Sequence, residues 1–218
     1  MGRRFLVILF ILVAGFIGII WLGKQDDTNN VSGEAQPTNH VIGNGKTGVT
    51  LVEYADFECP SCAAVYPYVK EAVERHFDDI TFQYVHFPMP QIHPNSMAAH
   101  RSAEAASRQG KFWEMYDQIY TGYQSWRSST SPAIIFQAYA EQIGLNIDQF
   151  NNDVPSSSVN DAIQADLRVV QQLKLNATPT FFLNGEQLEQ IPQSADELSD
   201  ILQAAIDEAK QNTQENSQ

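Results

Sequence analysis

The sequence predicts an α/β protein whose sheet domain is interrupted by an all-helical block, and three observations carry that reading. Residues 49–87 run strand, helix, strand, which at this length is a βαβ unit with parallel strands. Residues 93–175 carry helical periodicity only. From Thr178 a strand, a tight turn and a helix return. The expected layout is an α/β domain over 39–92 and 176–211, with a helical insertion over 93–175.

The elements follow in order. His40-Val41-Ile42 suits a short edge strand, and Gly43 to Gly48 a turn. Its Gly-Lys-Thr lacks the first glycine of a phosphate loop, which would fall at His40, so nucleotide binding is discarded. Val49 to Tyr54 is a strand feeding Cys59-Pro60-Ser61-Cys62, and the helix that starts there runs to about His76, with Pro67 expected to kink it. Ile80 to Phe87 is aromatic and β-branched, hence a strand. After Pro88-Met89-Pro90 come helices over 96–109, 111–123, 133–143, 148–152 and 158–173. Their aromatic stripes are core. Thr178 to Leu183 is a strand with a proline near its start, Asn184-Gly185 a hairpin turn, and Glu186 to Ile191 the return strand. Ser194 caps a last helix over 195–210, and 212–218 reads as a disordered tail.

Cys59 and Cys62 are the only cysteines, and both fall at the strand-to-helix junction. A helix N-terminus offers unpaired N–H groups and the positive end of its dipole, so a thiolate there is stabilised. Pro60 suits the first helical position. Cys59, at the cap, is expected to be the exposed nucleophile, and Cys62, one turn in, the resolving thiol. A structural disulfide across two residues would constrain almost nothing. A zinc site needs about four ligands, and a second cysteine pair is absent. Glu53, six positions before Cys59, lies in a run otherwise fit for a buried strand. Buried, its pKa would rise, and it could relay the proton that Cys62 must lose. An exposed edge-strand glutamate is the alternative.

The 218 residues carry a net charge of −13 with no basic cluster beyond Arg3-Arg4, which excludes nucleic acid and anionic lipid as partners. Phe5 to Leu22 is apolar over about 18 residues, near the lower limit for spanning a bilayer, and no Ala-x-Ala cleavage site follows. Residues 1–23 are therefore read as a transmembrane signal anchor, and 24–38 as a polar linker. Arg3-Arg4 stays in the cytoplasm, which puts the domain outside it, where disulfides persist. The expected location is the cell membrane, single-pass.

Cys-x-x-Cys at such a junction, Glu53 before it, the helical insertion, and Thr178-Pro179-Thr180 before an Asn-Gly hairpin together resemble the DsbA-type thiol–disulfide oxidoreductases of the thioredoxin fold, in particular their membrane-anchored Cys-Pro-Ser-Cys members. The resemblance covers roughly His40 to Lys210. It implies a thioredoxin-like fold with an inserted all-helical subdomain. It also implies a Cys59–Cys62 redox pair, Glu53 as the buried acid, and Thr178-Pro179 as a cis-proline loop. In that family the loop faces the disulfide and pairs with substrate backbone, so Pro60, Ser61, Thr178 and Pro179 become the substrate-binding set. His86, His93 and the segment 109–113 also match family positions and are read as structural. The resemblance departs at Ser61, where the best-known member has a thiolate-stabilising histidine. Implied partners are reduced exported proteins and a quinone-linked membrane reoxidant, with no cofactor, no metal, and a monomeric chain. The leading reading is a dithiol oxidase. A reductase or isomerase using the same site, and a membrane-tethered binding or chaperone module without redox chemistry, are the alternatives.

Overall fold

A computed structural model describes residues 35–215. The expected anchor over 1–23, most of the linker and residues 216–218 lie outside the described residues. Among the described residues no helix is long and apolar enough to cross a membrane.

A five-stranded sheet organises the domain: β1 (His40–Ile42), β2 (Val49–Ala55), β3 (Ile80–His86), β4 (Thr180–Leu183) and β5 (Glu186–Gln187), in spatial order β1-β3-β2-β4-β5. β2 and β3 are parallel, joined by α1 (Pro60–Arg75) as a crossover, while β1 and β4 add to them antiparallel. Six helices stand between β3 and β4: α2 (Ser96–Ser107), α3 (Phe112–Thr121), α4 (Tyr123–Trp126), α5 (Pro132–Gln142), α6 (Ile147–Asp153) and α7 (Ser157–Gln172). α8 (Ala195–Glu215) closes the chain.

Three boundaries differ from the sequence reading. α1 continues through Pro67 without a break. The return strand after Asn184-Gly185 is two residues long, not six: Glu186 and Gln187 are exposed, and among the described residues no further strand lies beyond them to pair with. The last helix reaches Glu215, past the expected start of a disordered tail at 212.

Period-2 alternation decides what lies beneath α1. Side chains at 49, 51, 53 and 55 of β2 share one face. So do those at 80, 82, 84 and 86 of β3, and the parallel register sets Glu53 beside Tyr84 and Ala55 beside His86. The near part of this face is aliphatic and packs Val65, Val69 and Val73 of α1 against Leu198, Leu202 and Ile206 of α8. The far part runs under the insertion, where Phe57, Cys62 and Tyr66 share a core with Tyr116, Tyr120, Trp126 and Phe136. The insertion thus roofs the cysteine end of the sheet.

Candidate redox site

The site begins at the strand-to-helix turn 56–59, whose backbone amides are each used. The Glu58 amide donates to Asp56 Oδ1 (2.9 Å), the Cys59 amide to the Asp56 carbonyl (3.0 Å), and the Phe57 amide to His100 Nε2 (3.4 Å). The Asp56 amide faces the Cys62 sulfur and favours its anion. Asp56 is fully buried and holds the turn to the chain after β3. Its carboxylate accepts from Ser96 Oγ (2.7 Å), the Met89 amide (2.8 Å) and His93 Nδ1 (2.8 Å). Burial pushes this carboxyl up, but the neighbouring His100 ring and the bonds from Ser96 and His93 outweigh it and hold it below the ordinary carboxylate range.

Cys59 caps α1 and Pro60 takes the first turn, as the sequence implies. Both cysteines are thiols in this structure. The Cys59 side chain is not the exposed group that its capping position suggests. Only 6% of it is open to solvent, because the Thr178-Pro179 loop lies over it, and its Sγ donates to the Thr178 carbonyl (3.3 Å). The cover is polar, and Pro60 and Ser61 beside it are exposed. The Thr178–Pro179 peptide is cis, as the family resemblance implies.

The two thiols are driven apart. Cys59 is lowered to about 5, first by the hydrogen bond that Cys62 offers its anion, then by Thr178 and by the amides of Cys62 and Ser61, against the pull of burial. Cys62, fully buried, is pushed well above its ordinary value by burial and by the neighbouring Cys59 anion. Glu53 is buried, 1% exposed, and not an edge residue. Burial first, and then the Cys59 anion, raise its carboxyl to about 8. Among the described residues its Oε2 has no hydrogen-bond partner. A carboxyl that keeps its proton at neutral pH beside a dithiol can give and take protons there.

The Thr178 contribution is separable. Thr178→Val removes the hydroxyl, which here reaches Met89 Sδ (3.7 Å), and keeps the carbonyl. The Cys59 thiol pKa is expected to rise by about one unit, the worth of one hydrogen bond to an anion. Titrating the thiolate by its ultraviolet absorbance checks this, and an unchanged pKa would remove the hydroxyl from the site.

All seven site residues named from the sequence sit at this end of the fold: Glu53 below, the Cys59-Pro60-Ser61-Cys62 turn and helix start, and Thr178-Pro179 above. Sequence reasoning gave no role to Asp56, His100 and Glu104. His100 and His86 meet through their Nδ1 atoms (2.6 Å), and Glu104 Oε2 accepts from His86 Nε2 (3.2 Å) and His40 Nε2 (2.7 Å). No spacing in the chain announces residues 40, 56, 86, 100 and 104 as a set. The acidic-aromatic turn before Cys59 is the one local hint. The ligand atoms of His40, His86 and Glu104 lie within 4.8 Å of one another, but they are closed on each other by hydrogen bonds.

Comparisons with known proteins agree with this geometry. A family model described as Thioredoxin matches residues 35–204. Among curated proteins, the Na(+)/H(+) antiporter NhaA 1 of Mycolicibacterium gilvum is 40% identical over 152 residues, 68% of this chain and 24% of that protein. NhaA 3 of Salinispora tropica is 35% identical over 149 residues, 68% of this chain and 22% of that protein. The chain thus spans about a quarter of the length of these relatives. Among solved structures, a thioredoxin-like oxidoreductase from Silicibacter pomeroyi is 25% identical with TM-score 0.65, covering 84% of this chain and 99% of that one. BdbD from Bacillus subtilis superposes with TM-score 0.67 at 18% identity, covering 81% and 96%. α-DsbA1 from Wolbachia pipientis gives 0.67 at 16%, covering 82% and 96%.

Proposed function

The chain belongs to the thioredoxin family, and from that premise we propose that it is a thiol–disulfide oxidoreductase of the DsbA type, acting as a dithiol oxidase. Its Cys59–Cys62 disulfide would be passed to reduced proteins outside the cytoplasm. The observation that carries this reading is the setting of Cys59, which caps α1 beside the Cys62 thiol and the Ser61 and Cys62 amides, all of which favour its anion. Whatever stabilises the thiolate stabilises the reduced pair, and so makes the disulfide more oxidising.

A substrate thiolate attacks Cys59 Sγ of the disulfide. The Cys59–Cys62 bond breaks, and Cys62 leaves as a thiolate that takes the Glu53 proton. The substrate's second thiolate then attacks its own sulfur in the mixed disulfide. This releases an oxidised substrate and the Cys59 thiolate, a good leaving group. Pro60 and Ser61, exposed beside the sulfur, and the Thr178-Pro179 backbone above it form the surface that a substrate strand would meet. Reoxidation runs the same bonds backwards: the Cys59 thiolate attacks the disulfide of the reoxidant, taken to be a quinone-linked membrane protein. The apolar run from Phe5 to Leu22 behind Arg3-Arg4 supports an anchor that keeps the domain beside such a partner, outside the membrane.

The reduction potential against glutathione tests the direction. A dithiol oxidase is expected between about −120 and −180 mV, and a value near −270 mV would assign the pair to a reductase instead.

A further inference from the structure

The bond from the Phe57 amide to His100 fixes where protons sit along a buried chain of side chains, by donor and acceptor counting alone. A backbone amide only donates, so His100 Nε2 accepts from it (3.4 Å) with a bare lone pair. The His100 proton is then on Nδ1, which meets His86 Nδ1 at 2.6 Å, so His86 Nδ1 accepts. The His86 proton is therefore on Nε2, and it is given to Glu104 Oε2 (3.2 Å). Read from the other end the answer is the same, because a carboxylate accepts and cannot donate. His40 gives its Nε2 proton to the same oxygen (2.7 Å), with its ring stacked on Phe112 at 3.6 Å between centroids. His86 and His100 are fully buried, and the His86 amide is tied to Asp166 Oδ2 (2.9 Å).

We propose that Glu104, His86 and His100 are positioning residues for the redox site: a polarised chain in which the Glu104 carboxylate sets both ring tautomers so that His100 presents a lone pair to the Phe57 amide and holds the turn carrying Cys59. Reversing the chain shows why polarity matters. With its proton on Nε2, His100 would face the Phe57 N–H donor to donor. The ring would turn to Asp56 Oδ1, 3.5 Å away, and compete there with Ser96 and the Glu58 amide. The turn whose Asp56 amide faces Cys62 and whose Asp56 carbonyl takes the Cys59 amide would loosen. The amides of Ser61 and Cys62 would aim less well at the Cys59 sulfur.

The inference rests on Cys59 being the reacting thiol, yet its first test involves no redox assay, so failure of either reading is separable. Nitrogen NMR of histidine-labelled, reduced, full-length chain at neutral pH should find His100 protonated only at Nδ1 and His86 only at Nε2. Either ring carrying its proton on the other nitrogen, or on both, overturns the proposal. Variants then test the coupling. Glu104→Gln can keep a carbonyl acceptor at the position of Oε2, whereas Glu104→Leu removes it and frees His86 to switch tautomer. Phe57 amide exchange in Glu104→Leu should accelerate about tenfold, the worth of one hydrogen bond. The Cys59 thiol pKa should rise by roughly half a unit to one unit, and Glu104→Gln should restore both. Equal thiol pKa values in all three proteins, or an equal shift in both variants, would reduce the chain to a fold-stabilising contact.

Discussion

Cys59→Ser is expected to abolish oxidation of a reduced test protein, leaving only the background rate, and Cys62→Ser, which has no disulfide to pass on, does the same but keeps the attack of Cys59 on an incoming disulfide and stops at the mixed disulfide. The difference follows from where the two sulfurs sit. Cys59 is at the helix cap, lies against the exposed Pro60 and Ser61, and is the thiol whose anion is stabilised. Cys62 is fully enclosed and its anion is disfavoured. An incoming disulfide is therefore attacked by Cys59, and without Cys62 the mixed disulfide has no internal thiol to resolve it. Mass spectrometry of Cys62→Ser incubated with a small disulfide should find one adduct on Cys59, and Cys59→Ser should form none. Adducts on Cys62 in the Cys59→Ser protein would exchange the two roles. The choice of replacement at 62 matters too. The largest contribution to the low Cys59 pKa is the hydrogen bond from Cys62. Ser keeps a donor there and Ala does not, so Cys62→Ala should raise the Cys59 pKa more than Cys62→Ser does.

Glu53→Gln is expected to change how stability follows pH, removing in both redox states a contribution that falls as pH rises. Glu53 is raised to about 8, above its unfolded value of about 4.3. Its contribution is fully present below about pH 4.3 and is lost as pH rises through 8. Cys59 is lowered to about 5, below its unfolded value of about 8.5. Its contribution is fully present above about pH 8.5 and is lost as pH falls through 5. Between about pH 5 and 8 the two therefore oppose each other, each at roughly 1.4 kcal/mol per pH unit, and the reduced protein stays nearly level. The disulfide form has no Cys59 ionisation to set against Glu53, whose shift comes first from burial, so its stability falls as pH rises. Replacing Glu53 by the neutral Gln should stabilise the oxidised protein at pH 7 by on the order of 3 kcal/mol, with little change near pH 4. In the reduced protein it should leave stability that rises with pH. Denaturant unfolding of both redox forms at pH 4, 5.5 and 7 checks this, and parallel profiles for variant and parent would mean that Glu53 titrates normally. If Glu53 also serves Cys62, the variant should slow resolution of the mixed disulfide more than its formation.

The sheet and the helical roof were legible because their signals are local. β2 and β3 carry period-2 patterning, and α3, α5 and α7 carry helical spacing, within single stretches of chain. Cys59 and Cys62 were legible because the chemistry of a helix N-terminus needs only a strand, a turn and a helix in sequence. Glu53 stood out as a carboxylate in a run otherwise fit for a buried strand, and the resemblance supplied its role as the buried acid. Thr178 and Pro179 are 119 and 120 positions from Cys59, and their place at the site came from resemblance rather than from any pattern in the residues themselves. The return strand was drawn too long because turn chemistry at Asn184-Gly185 specifies a reversal but not how many residues pair after it.

By itself the sequence determined the α/β class and the placing of both cysteines at one helix N-terminus, since each is written in the pattern of continuous stretches of chain. Only the tertiary structure decided that Cys59 lies under the Thr178 carbonyl, that Asp56 clamps the turn, and that His86, His100 and Glu104 form one directed chain behind it. A buried donor must find an acceptor wherever the packed chain offers one. That demand is met across 43 positions for Phe57 and His100, and no local pattern encodes it.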